Sequence, residues 1–197
     1  MKIYQTSDIR NIALVGGAKS GKTTMAEAMA FCGGLINRRG TVDGKNTISD
    51  YRDIELDRKY SVETTLMYTE FGGKKVNILD VPGFADYQGE LVSAFNVVEA
   101  AVVVVNAQSG VEVGTEIANR YANKLDTPMI FVVNHLDAEK ANFDESVNQL
   151  KDFFGGKCTV LQFPTNAGLG FNQIIDIVAN KMYTFKDGKA TEEDIPA

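Results

Sequence analysis

The sequence predicts an α/β domain: a mostly parallel sheet of about six strands, one of them an antiparallel edge strand, with helices on both faces. Three observations predict it. Short apolar runs at Ile12-Ala13-Leu14-Val15, Ala100 to Val105 and Met129 to Val133 read as strands buried on both faces. Segments with apolar residues at helical spacing alternate with them. Between the first such strand and the first helix, Thr24 to Ala30, lies Gly16-Gly17-Ala18-Lys19-Ser20-Gly21-Lys22-Thr23, the pattern G-x-x-x-x-G-K-[ST].

The chemistry of that loop follows from its residue types. A loop that wraps a pyrophosphate must turn several N–H groups inward, so Gly21 and the small Ala18 and Ser20 keep the approach open. Lys22 brings a point charge to the outer phosphates, the Thr23 hydroxyl a hard oxygen for Mg²⁺, and Thr24 continues into the helix whose N-terminus faces the anion.

The chain then reads in order. Gly33-Gly34 stops the first helix, and residues 35 to about 59 form a long polar stretch expected to be a mobile loop. Ser61 to Phe71, the turn Gly72-Gly73 and Val76-Asn77-Ile78-Leu79 make a hairpin. Asp80-Val81-Pro82-Gly83 leaves that strand at the ligand-facing end of such a sheet, with Gly83 offering an N–H at close approach. Leu91, Phe95 and Val98 mark a helix, and so do Ile117, Tyr121 and Leu125. Phe143, Val147, Leu150 and Phe154 mark another, Thr159 to Phe163 a strand, and Phe171, Ile174, Val178 and Met182 a final helix. From Lys186 the chain turns polar and charged. The organisation expected is one domain over 1–185, with 186–197 the start of a linker or inserted subdomain.

Composition narrows the class. With 197 residues and 44% apolar content the chain can bury a full core. A net charge of −6 argues against a nucleic-acid-binding surface for the chain as a whole. Cys32 and Cys158 stand in no paired motif and read as two buried reduced thiols of a cytoplasmic protein. No signal peptide and no apolar run of membrane-spanning length is present, so no membrane partner is expected, and the chain is expected to be a monomer.

Two later loops read as a base-recognition pair. Asn134-His135-Leu136-Asp137 ends the strand Met129 to Val133. A carboxylate such as Asp137 accepts hydrogen bonds from guanine N1–H and N2–H₂, a donor pair adenine lacks; Asn134 could brace the loop. In Thr165-Asn166-Ala167-Gly168 a backbone N–H could meet guanine O6.

With these motifs in this order the chain resembles a translational GTPase, most like the G domain of elongation factor G. Arg10-Asn11-Ile12, Val81-Pro82-Gly83, Gly110-Val111-Glu112 and Ile174 to Phe185 carry the resemblance, which spans nearly the whole chain. It implies GTP or GDP with Mg²⁺ as ligands and the ribosome as partner of a longer factor. It also implies a phosphate site at Gly16 to Thr24 with Gly83, a guanine site at Asn134, His135, Asp137, Asn166 and Ala167, and metal-side groups at Thr23, Ser61 and Asp80.

Four residues depart from that pattern. Phe84 stands where the family has the His that orients the attacking water, and no phenyl ring can hold a water. Lys19 replaces an acidic residue and either places a second positive charge near the phosphates or is a solvated loop lysine. Arg58-Lys59-Tyr60-Ser61 replaces Arg-Gly-Ile-Thr, keeping a hydroxyl and losing a flexible glycine. His135 stands for a Lys whose stem lies along the base. The expectation is therefore a GTP/GDP-binding switch domain with slow or absent hydrolysis. The competing expectations are a P-loop ATPase or kinase, a degenerate G domain used as an interaction scaffold, or a related ribosome-protection or release factor.

Overall fold

The computed structural model describes residues 2–186 and 188–195. Its strands are β1 (Ile9–Val15), β2 (Thr65–Phe71), β3 (Lys74–Asp80), β4 (Ala100–Asn106), β5 (Met129–Asn134), β6 (Gln162–Pro164), β7 (Gln173–Asp176), β8 (Lys181–Lys186) and β9 (Lys189–Asp194). Its helices are α1 (Lys22–Cys32), α2 (Asp53–Arg58), α3 (Gln88–Phe95), α4 (Val113–Leu125) and α5 (Phe143–Phe154). The chain forms two compact units, Met1–Val105 with Glu112–Val132, and Asn106–Val111 with Val133–Ala197.

The main sheet has the order β2-β3-β1-β4-β5. β1 pairs parallel with both β3 and β4, and β2 is the antiparallel edge strand expected from the hairpin. Gly72 and Gly73 make the turn with φ of +55° and +77°, the conformation a tight two-residue hairpin needs. α1 lays Ala26 and Ala30 on Leu14, Ile78 and Met67, joining three strands in one core. Ala13 and Val15, pointing to the opposite face of β1, are also fully buried, and α3 and α4 meet β1 as well.

The sheet thus has five strands where about six were expected. The strand placed at Thr159 to Phe163 is β6, and it pairs antiparallel with β7 in a separate four-stranded sheet, β6-β7-β8-β9. The expected final helix is not formed. Its apolar spacing fits a helix, but Asp176 Oδ1 accepts the Ala179 N–H at 2.8 Å and Asn180 takes φ of +53°. That is turn chemistry, and it folds Gln173–Asp176 back on Lys181–Lys186. Val178, expected in the core, is exposed at the turn. The polar residues Lys189–Asp194 then pair with β8, carrying strand structure past the expected boundary at 186. Pro196 and Ala197 lie outside the described residues.

Residues 35–64 also differ from a plain loop. They contain α2, and two buried carboxylates hold their backbone. Glu27 of α1 accepts N–H groups from Gly40 (2.7 Å) and Ile48 (3.0 Å). Glu55 accepts those of Val62 (3.0 Å) and Arg52 (3.3 Å). Removing Glu27 would strand donors of which at least one, on Gly40, is buried. Glu27→Ala is therefore expected to cost about 2–4 kcal/mol in urea unfolding; a change under about 0.5 kcal/mol would show that the carboxylate does not hold this segment.

Neither cysteine is buried as expected. Cys32 is exposed, because it lies roughly 200° around α1 from the buried Ala30. Cys158 is partly exposed.

Candidate functional site

β1 delivers the chain to Gly16, whose φ is +127° and whose absent Cβ would strike the Val104 carbonyl. Only glycine meets both conditions. Lys19 is exposed, with φ of +62°. Ser20 is fully buried, and Gly21, at φ +98°, opens α1. The first turn of α1 carries Lys22, Thr23 and Thr24, so the N–H groups left unpaired at a helix start belong to this loop.

Lys22 is buried and curls back over the loop. Its Nζ donates to the carbonyls of Gly17 (2.7 Å) and Gly16 (3.1 Å). Burial lowers its pKa to about 8, against the carboxylates of Asp80, Glu112 and Asp50, which favour the charged form. Gly83 lies against the same loop. A Cβ there would collide with Lys22 Nζ and stand 2.8 Å from the Ala18 nitrogen.

The groups expected on the metal side converge beside Thr23. Thr23 Oγ1 and Ser61 Oγ are 3.3 Å apart, and Ser61 donates to Asp50 Oδ1 at 2.7 Å. Asp80, at the end of β3, is fully buried; Ser49 donates to its Oδ2 at 2.6 Å. Asp80 Oδ1 and Asp50 Oδ2 are buried and accept no hydrogen bond. Among the described residues no cluster of three or more His, Cys, Asp or Glu could hold a metal unaided. Two carboxylates with two hydroxyls do fit a hard divalent cation that takes the rest of its oxygens from phosphate and water.

Burial raises the pKa of Asp80 to about 6, the Ser49 and Thr23 hydroxyls and Lys22 pulling the other way, and it also raises that of Asp50. Asp80 therefore binds its proton more tightly folded than unfolded. Its cost to the fold is complete above about pH 6 and fades as pH falls towards the ordinary aspartate value of 3.8. In EDTA at pH 7.5, Asp80→Asn is expected to stabilise the chain by about 1–3 kcal/mol. That gain should shrink by pH 4.5, and Mg²⁺-dependent nucleotide binding should weaken. Destabilisation at both pH values would refute the buried-charge account.

The second unit carries the expected base-recognition loops. Leu136 is buried, and its carbonyl accepts the Gly168 N–H at 2.7 Å, tying Asn134–Asp137 to Asn166–Gly168. The Asn134 carbonyl accepts the Ala107 N–H at 2.9 Å. His135 takes φ of +59°, and the side chains of Asp137 and Asn166 and the residue Ala167 are exposed.

Comparison with known proteins places this arrangement. Residues 7–188 match the family model described as elongation factor Tu GTP binding domain. The chain belongs to that family. Its membership implies guanine-nucleotide binding by this G domain, and the α/β sheet described above is consistent with it. The G domain is 33% identical over 189 residues to an elongation factor G-like protein of Thermotoga maritima, and 35% identical over 193 residues to elongation factor G of Ureaplasma parvum. A crystal structure of a protein from Thermus thermophilus superposes with a TM-score of 0.90 at 34% identity, covering 96% of this chain and 28% of that one. The chain spans 27% and 28% of the two curated relatives, which cover 96% and 95% of it. Among the described residues no helix is long and apolar enough to cross a membrane.

Three groups escape a reading of the sequence alone. Asp50 and Ser49 sit in the polar stretch, eleven and twelve residues before Ser61, where no periodicity or motif marks them. Glu112 lies beside Gly17, whose Cβ would stand 2.6 Å from its Oε2; the Gly110-Val111-Glu112 segment was the one sign of it.

Proposed function

We propose that this G domain is the GTP- and GDP-binding switch of a cytoplasmic elongation-factor-G-like translation factor acting on the ribosome, and that it hydrolyses GTP slowly or not at all. The observation that carries the reading is a contrast within one set of loops. The binding groups are assembled: Lys22 lies on the phosphate loop, while Thr23, Ser61, Asp50 and Asp80 converge with two unpaired carboxylate oxygens. The group after Asp80-x-x-Gly83 is a phenyl ring.

Lys22 and the α1 N-terminus bind the phosphates, Gly83 leaves room for them, and Asp137 with Asn134, His135, Asn166 and Ala167 selects guanine. Thr23, Ser61, Asp80 and Asp50 would hold Mg²⁺, which when bound would supply charge neutralisation at the phosphates. Binding can still bias the loops towards one arrangement without hydrolysis, because a switch needs only differential affinity for two states.

The test is equilibrium binding of fluorescent GTP and GDP analogues with Mg²⁺ present, competed by ATP, followed by single-turnover phosphate release with and without ribosomes. Guanine-selective binding with slow release is expected. Equal competition by ATP would replace this reading with the ATPase one, and rapid unassisted release would remove the hydrolytic defect.

A further inference from the structure

The rings of Phe84 and Tyr60 are packed against each other, with centroids 4.6 Å apart and planes inclined by 57°. This is an attractive aromatic arrangement. Each ring is half-buried, and each sits next to a group the site uses: Tyr60 precedes Ser61, and Phe84 follows Gly83. Arg58 also donates to the Tyr60 hydroxyl at 3.1 Å. The same two segments meet again where Thr64 N–H donates to Glu90 Oε2 of α3 at 2.7 Å, and Thr65, the next residue, pairs with Asp80 in the β2–β3 ladder. Only the rings join the residues adjacent to Ser61 and Gly83.

On the resemblance drawn from the sequence, Tyr60 and Phe84 stand at two of the positions that depart from the pattern. A phenyl ring at 84 alone would be the loss of a water-holding group. A phenyl ring packed on a tyrosine is a contact between two loops.

We propose that Tyr60 and Phe84 form an aromatic latch coupling residues 58–64 to residues 80–90, so that Ser61 and Gly83 are positioned together at the terminal-phosphate end of the nucleotide. Phe84 is then a positioning residue. The latch rests on the proposed nucleotide site for its consequence, but its existence as a coupling between loops is separable from that reading.

Hydrogen exchange on the whole chain tests the coupling directly. Tyr60→Leu and Phe84→Leu keep apolar volume and remove one ring. Each is expected to raise amide exchange in the opposite segment about two- to tenfold, the range an aromatic pair is worth. The β1–β4 amides should not change, and Tyr60→Phe, which keeps the ring, should behave as the parent. Exchange unchanged in the opposite segment for both Leu variants would overturn the latch.

A fluorescent GTP analogue tests the consequence. Each Leu variant should speed its release about two- to tenfold, and the double variant should be no faster than the faster single one. Multiplying effects would mean two independent residues and would also overturn it. If the parent chain binds no GTP analogue, the proposed function fails, while the exchange measurement still decides the latch.

Discussion

Phe84→His is expected to raise single-turnover phosphate release from bound GTP by about 10²–10⁴-fold, the usual worth of a positioned group that takes or orients a proton-bearing reactant. Position 84 follows Gly83, which lies within contact distance of Lys22 and the phosphate loop, so a ring nitrogen there is carried to the phosphate end. The chain's one histidine, His135, lies in the loop that follows β5, in the second unit. An imidazole is planar and can still pack on Tyr60, so the substitution adds a hydrogen-bonding nitrogen while retaining a ring. Phe84→Leu supplies the control: it loosens the loops without adding a water ligand, and should not raise release. The chemical defect would be misplaced if Phe84→His showed no gain, alone or combined with Lys19→Asp, while GTP remained bound. Fast release by the parent chain on ribosomes would show instead that an outside group completes the site.

Asp137→Asn is expected to weaken GTP binding by about 10²–10⁴-fold: one charge-assisted hydrogen bond, worth roughly 1.5–3 kcal/mol, is replaced by a donor–donor clash, and the other loses its charge assistance. The amide still accepts from guanine N1–H but turns an N–H₂ towards guanine N2–H₂, donor against donor. Xanthine has a carbonyl at that position, so the variant should prefer XTP to GTP. Competition of GTP, XTP and ATP for a fluorescent nucleotide measures this. The Gly168 N–H to Leu136 carbonyl bond uses backbone only, so the loop pair should survive the substitution. Unchanged GTP affinity would remove Asp137 from base recognition and return the ATPase reading to consideration.

The two predictions differ in what carries them. Asp137 rests on a motif and its order in the chain, and the structure adds the backbone bond that holds its loop. Phe84 rests on a motif as well, but its partner Tyr60 is 24 positions away, and nothing in either local sequence announces the contact. Asp50 is similar: it reads as one polar residue among many until Ser61 is seen donating to it. The helix expected through Phe171 to Met182 shows the converse error. There the spacing of apolar residues was real, but a turn held by Asp176 and Asn180, with strand partners on both sides, outweighed it.

What the sequence by itself determined is the phosphate loop between β1 and α1, the β2–β3 hairpin and the alternating strands and helices of the main sheet. Each depends on residues close in the chain, where apolar runs, glycine positions and helical spacing act directly on the backbone. The tertiary structure alone decided which buried carboxylate oxygens remain unpaired beside Thr23, which ring packs on Phe84, and that Gln173–Asp176, Lys181–Lys186 and Lys189–Asp194 pair as strands. Those outcomes depend on groups brought together from distant parts of the chain, where desolvation and strand pairing outweigh local preference.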